Sequence, residues 1–195
     1  ISYNIEVFEN AKIQNIFANS FYLAEKLEDY ISKNHPSVKI FREAERLETG
    51  GGLINICNHI GYKNLFTMNS DIVFPNFLQN CPVKNLLSNW QENQFEALLL
   101  IAHRDNFFGY SGVGDYSLDA QNKPIKKPNN DYIYTGLQII NATILENFPK
   151  KIFSLSEIFN LCLAKNKLGV TIYHDKVLHI GDVEGLKLAE NFINS

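Results

Sequence analysis

The segment Leu65–Phe74, LFTMNSDIVF, sets an acidic, turn-forming triplet between two apolar runs. Leu65–Met68 and Ile72–Phe74 suit buried strands. Asn69, Ser70 and Asp71 favour turns, because their side chains bond nearby backbone. A carboxylate at a sheet rim also has a chemical use. In an open α/β sheet, ligands bind beyond the carboxyl ends of the strands. One or two carboxylates there, together with substrate phosphates, are the usual way Mg²⁺ is held. Asp71 therefore has two readings, a turn residue and a metal-binding carboxylate.

Two other stretches could carry chemistry. Glu48–Thr49–Gly50–Gly51–Gly52 leads into LINICNHI, an apolar-faced helix closed by Gly61. Three successive glycines let a backbone approach a ligand, and a helix N-terminus favours anions. The stretch matches neither GxGxxG nor the P-loop pattern, and a flexible glycine-rich entry is its plainer reading. His179–Ile180–Gly181–Asp182 ends a short apolar run. Asp182 as a helix cap and His179 as a rim histidine are the plainer readings there. Ser154–Leu155–Ser156–Glu157 has the capping-box pattern, which makes Glu157 a capping residue first. Spacing defines no Ser/His/Asp or Cys/His arrangement.

The elements that must position these residues alternate in type. Lys12–Ala18 predicts a strand, Asn19 and Ser20 offer N-caps, and FYLAEKLEDYI has helical spacing before Asn34–His35–Pro36 stops it. Val38–Phe41 and Leu65–Asn69 predict strands. Pro75 suits the start of a helix toward Trp90. Ala97–Ala102 (ALLLIA) is apolar throughout, as in a strand buried on both faces. Leu168–Tyr173 and Val177–Ile180 predict two more strands before a final helix. Strands alternating with helices argue for βαβ units and a mainly parallel sheet. The texture of residues 109–140 suggests a β-rich insertion.

Composition narrows the class. At 195 residues, 45% hydrophobic and 20% charged, the chain suits a single ordinary globular domain spanning 1–195. A net charge of −3 gives no broad basic footprint for nucleic acid, and the cluster Lys123–Lys127 reads as a solvated loop. No apolar run reaches the ~18–20 residues that a membrane span needs. Cys57, Cys81 and Cys162 show neither disulfide nor metal-ligand spacing, so reduced thiols in a cytoplasmic protein are expected. The chain opens at Ile1, and its only methionine is Met68, which raises the expectation that an N-terminal portion is missing.

In order, these blocks resemble the sugar-1-phosphate nucleotidyltransferases of the NTP-transferase family. The likeness is nearest to bacterial N-acetylmuramate-1-phosphate uridylyltransferases and mannose-1-phosphate guanylyltransferase-like proteins. NAKIQNIFANSFYLAEKL resembles the family's early strand and helix, ETGGGLIN its E-T-(A/G)-G-G loop, and MNSD its N-G-D with Ser70 for glycine. GVGDYSLDAQNK, YIYTGLQIIN and FSLSEIF resemble later blocks.

The resemblance implies a Rossmann-like three-layer α/β/α sheet. It also implies nucleotidyl transfer from UTP or GTP to a sugar 1-phosphate, giving a nucleotide sugar for cell-wall or surface polysaccharide. By the same resemblance Asp71 would hold Mg²⁺. Glu48, Thr49, Gly50, Gly51, Gly52 and Asn69 would contact the nucleotide, and Tyr134, Thr135 and Gly136 the sugar.

Two departures matter. The family's first strand and its arginine-bearing phosphate loop are not in the chain, and Ile1–Glu9 resembles the helix that follows them. The family's second metal aspartate aligns with His179, and its threonine with Asp182, so these two are the candidates to replace that carboxylate. No catalytic cation of the family is retained. Three readings follow: a nucleotidyltransferase chain impaired by the missing loop, a metal-dependent GT-A-like glycosyltransferase, or a non-catalytic subunit completed by a separate N-terminal fragment.

Overall fold

A computed structural model describes residues 1–193. Helix α1 spans Ser2–Asn10, strand β1 Phe17–Ser20, α2 Ala24–Asn34, β2 Lys39–Arg42 and α3 Glu48–Ile60. Then come β3 (Asn64–Met68), β4 (Ile72–Val73), α4 (Pro82–Asn89), β5 (Ala97–His103) and β6 (Phe107–Phe108). The hairpin strands β7 (Ser117–Leu118) and β8 (Pro124–Ile125) follow, and then the long β9 (Tyr132–Asn141). The chain closes with α5 (Leu155–Ala164), β10 (Leu168–Tyr173), β11 (Val177–His179) and α6 (Val183–Ile193).

The central sheet has the order β10-β5-β9-β3. Strand β10 pairs with β5 in parallel, and β9 runs antiparallel to both β5 and β3. Three of the four strands thus share one direction, in a Rossmann-like mixed α/β sheet. Apolar residues alternate along β5 between two cores. Leu98, Leu100 and Ala102 face the cluster that contains Val7 of α1 with Val83 and Leu86 of α4. Ala97, Leu99 and Ile101 face the cluster with Leu53 and Cys57 of α3 and Ile158, Phe159 and Cys162 of α5. Helices cover both faces, which is why ALLLIA carries no polar residue.

Several boundaries depart from the sequence expectation. Residues 132–140 belong to central β9, so the insertion expected over 109–140 ends before that strand and keeps only the β7–β8 hairpin. Asn19 and Ser20 are strand residues, not caps. Helix α2 begins only after Leu23, whose left-handed backbone (φ 52°) turns the chain and leaves Phe21 and Tyr22 exposed. Helix α4 starts at Pro82, not near Pro75. Both prolines fit a helix start by their fixed φ, and the turns at 75–79 decide for the second.

Strands β1 and β2 form a separate parallel pair. Among the described residues, the ladder partner of β1 is β2 and that of β3 is β9. Two helices tie these open edges together. Helix α1 sends Phe8 to the cluster with Phe66 and Met68 of β3, and Ile5 to the cluster with Ala18 and Ile40 of the β1–β2 pair. Helix α3 lays Gly52 against Asn19 of β1, and its Leu53 and Cys57 join the cluster that Leu65 of β3 packs against. No described helix is long and apolar enough to cross a membrane.

Candidate active site

The turn Asn69–Asp71 stands at the carboxyl end of β3 and is fixed from three sides. From α1, the buried Asn4 donates its Nδ2 to the carbonyls of Asn69 (3.1 Å) and Ile72 (3.0 Å). From β9, the Gly136 carbonyl accepts the Asn69 N–H at 3.0 Å. Just past β11, the Ile180 N–H donates to the Asp71 carbonyl at 2.8 Å. The triplet is thus a turn anchored to three other elements, and its Asp71 carboxylate lies partly exposed beside His179.

Gly136 is required for this approach. Its φ is +78°, and a Cβ there would come 2.9 Å from the Asn69 Cβ. It lies where the β5–β9 register slips between Leu99 and Ile101. That irregularity would strand the Leu100 carbonyl, and the Thr135 hydroxyl donates to it at 2.9 Å. Tyr134 donates its hydroxyl to Gln138 and its N–H to Asp115 Oδ2. Of the residues expected at the sugar, Tyr134 and Thr135 thus spend their polar groups on the sheet, while Gly136 adjoins the site. Burial raises the Asp115 carboxyl above its ordinary range, opposed by the Tyr134 N–H and by Lys126.

His179 lies beside Asp71. Strands β4 and β11 pair antiparallel with His179 opposite Ile72, which puts the imidazole Nε2 3.4 Å from Asp71 Oδ2. The other ring nitrogen, Nδ1, lies 3.1 Å from the Gly109 carbonyl. A carbonyl and a carboxylate can only accept, so Nδ1 donates to Gly109 and Nε2 is the nitrogen that faces the Asp71 carboxylate. Three glycines shape this corner. A Cβ at Gly109 or Gly185 would come within 2.5 or 2.3 Å of the His179 carbonyl. A Cβ at Gly181 would sit 2.7 Å from the His179 ring and 3.2 Å from Asp71 Oδ2. Asp182 is committed elsewhere, since its Oδ1 accepts the Gly185 N–H at 2.7 Å and caps α6. Among the described residues, no three His, Cys, Asp or Glu side chains converge as a metal-binding group.

The Glu48–Gly52 stretch is not a loop. It forms the first turns of α3, because helix continuation uses its backbone. Phe153 O accepts from Gly50 N (2.9 Å) and Gly51 N (3.4 Å), and Thr49 Oγ1 accepts the Leu155 N–H at 2.9 Å. The glycines serve close packing. A Cβ at Gly50 would meet the Phe153 ring at 2.2 Å, and one at Gly51 the Lys151 carbonyl at 2.1 Å. Thr49, Gly50 and Gly51, expected at the nucleotide, thus have their polar groups bonded to the Phe153–Leu155 segment. Glu48 is drawn to Arg46, with Oε1 and Nε 3.1 Å apart. Gly52 packs against Asn19 of β1, whose Nδ2 donates to Glu43 Oε1 at 2.8 Å.

The buried Glu43 went unread in the sequence, as did Asn4. Glu43 follows directly on β2 and also accepts the Leu47 N–H at 3.3 Å. An acidic residue immediately after a short apolar strand was the signal that could have marked it. Nothing local marks Asn4, which becomes important only when α1 meets β3 and β4.

No family model matches the chain. Solved structures do match its fold. HddC from Yersinia pseudotuberculosis, complexed with GMP-PN, superposes with a TM-score of 0.74 at 23% identity, over 97% of this chain and 84% of that one. A UDP-glucose pyrophosphorylase complexed with UDP-glucose gives a TM-score of 0.77 at 15% identity, over 98% and 85%. The inositol-1-phosphate CTP transferase from T. maritima gives 0.74 at 13% identity, over 97% and 80%. The chain shares the fold of these proteins.

Proposed function

We propose that the chain carries a nucleotidyl-transfer site at the carboxyl ends of β1, β2 and β3. There a sugar 1-phosphate oxygen bonds to the α-phosphorus of a nucleoside triphosphate, UTP or GTP, the bond to the β-phosphate breaks, and pyrophosphate leaves. The observation that carries this reading is the Asn69–Asp71 turn. It is fixed by α1, β9 and the end of β11, and it holds a partly exposed carboxylate at the strand end where such a fold binds ligands.

A divalent cation fits this corner. Asp71 offers a hard oxygen, and the bare Cα of Gly181 leaves space against it that a side chain would fill. Asp71 would hold Mg²⁺ together with phosphate oxygens. Such an ion neutralises charge developing on the phosphate oxygens. Asn69 and Gly136 set the height of the turn, and Gly52 with the Asn19–Glu43 pair offers a polar edge to the nucleotide.

The test is pyrophosphate release from UTP or GTP with a panel of sugar 1-phosphates and Mg²⁺, in wild type and Asp71→Asn. Loss of metal-dependent turnover in Asp71→Asn is expected, and full retention would overturn the role of Asp71. Release of nucleoside diphosphate from a nucleotide sugar would assign a glycosyltransferase instead. No heat with either nucleotide and Mg²⁺ in calorimetry would defeat nucleotide binding altogether.

A further inference from the structure

We propose that Asp71 Oδ2 and His179 Nε2 form a mixed oxygen–nitrogen pair that selects a first-row transition dication, such as Mn²⁺ or Co²⁺, over Mg²⁺. The proposal deepens the nucleotidyl-transfer reading, whose metal corner it specifies.

Four observations support it. The two atoms stand 3.4 Å apart. Two ligands about 2.1 Å from one ion are about 3.0 Å apart at a right angle and about 3.4 Å apart at the tetrahedral angle, so the spacing of the pair is that of two ligands on one ion. Nδ1 lies 3.1 Å from the Gly109 carbonyl, which can only accept from it, so Nε2 is the nitrogen left to face a metal. A ligating histidine almost always gives its other N–H to such a partner, which sets the tautomer and the ring plane.

The backbone around the imidazole is built closely. Residues 109 and 185 lie against the His179 carbonyl where a Cβ would collide. Residue 181 leaves the ring and Asp71 Oδ2 uncovered. Finally, both side chains are reachable, at 29% and 43% exposure, so water or phosphate oxygens can take the remaining positions.

The selectivity follows from ligand chemistry. Mg²⁺ demands oxygen ligands, whereas first-row transition dications accept an imidazole nitrogen more readily, least for Mn²⁺ and increasingly toward Co²⁺. Two carboxylates would leave hard oxygens on both sides of the ion. Replacing one by a neutral nitrogen lowers the site's negative charge and shifts preference toward ions that bind nitrogen well.

The test uses the whole chain with Mn²⁺ as probe, with and without inorganic tripolyphosphate. Electron spin-echo modulation of bound Mn²⁺ reads nitrogen in the coordination sphere directly, so it needs no variant. Imidazole nitrogen modulation is expected in wild type and lost in His179→Ala. Mg²⁺ should compete for Mn²⁺ only in excess in wild type, and about tenfold or more better in His179→Ala. Mn²⁺ bound without nitrogen modulation, or no Mn²⁺ bound under either condition, would overturn the proposal.

Calorimetry with UTP or GTP and Mg²⁺ separates the two claims. Nucleotide binding with no nitrogen on Mn²⁺ removes only the metal selectivity. Nitrogen-ligated Mn²⁺ with no nucleotide binding removes only the nucleotidyl-transfer reading.

Discussion

At the scale of single residues, polar side chains in this chain are divided between building and exposure. Asn4, Thr135 and Thr49 spend their hydrogen bonds on the backbone of other segments, and Asp182 caps its own helix. Asp71 and His179 keep a side-chain face open. The cysteines fall on the building side. Burial pushes the Cys57 thiol up to about 11 and Cys162 up to about 12, the latter reinforced by Glu96. A raised thiol pKa keeps the unreactive protonated form through neutral pH, and thiolate appears only as pH climbs toward those values. Alkylation of native protein by iodoacetamide at pH 7.5 should therefore leave both thiols intact on a timescale that fully modifies the urea-unfolded chain. Mass spectrometry of the alkylated peptides checks this. Rapid native labelling at Cys57 would contradict it.

At the scale of elements, the run of glycines at the start of α3 shows how one composition serves two purposes. Read as a sequence, Gly50–Gly52 suggests a loop that approaches a ligand. In the fold, the same missing side chains let α3 press against residues 151–153 and the Asn19–Glu43 pair. Gly51→Ala would push a methyl into the Lys151 carbonyl, which as backbone cannot swing aside. We expect a loss of about 1–3 kcal/mol in urea unfolding, the usual cost of overpacking. An unchanged midpoint would show that the contact relaxes freely. Helix α5 was legible as it stands, because Ser154 accepts the Ser156 N–H at 3.3 Å as a cap should. Its capping-box partner was not, since Glu157 pairs with Lys150 instead of folding back.

At the scale of the whole molecule, stability is concentrated in β5 and β9. Leu99 is fully buried in the sheet centre, so Leu99→Ala should cost about 2–5 kcal/mol, read as a lower denaturant midpoint. Amides of Leu98–Ala102 should exchange only on global unfolding. Those of β3 that point away from β9 should exchange faster, because that edge carries no ladder partner among the described residues. Equal protection of β3 and β5 in hydrogen-exchange mass spectrometry would show that the edge is covered.

What the sequence determined by itself was the alternation of elements and the class of fold. ALLLIA read as a strand buried on two faces, and the order of blocks resembled that of a Rossmann-like sheet. These are local patterns, written in the period and polarity of neighbouring residues. The tertiary structure alone decided three other things: that β9 crosses the sheet antiparallel, that Asn4 locks the Asn69–Asp71 turn, and that His179 stands 3.4 Å from Asp71 with its Nδ1 against the Gly109 carbonyl. Each joins residues far apart in the chain. Such contacts follow from strand register and helix packing, which no short stretch of sequence encodes.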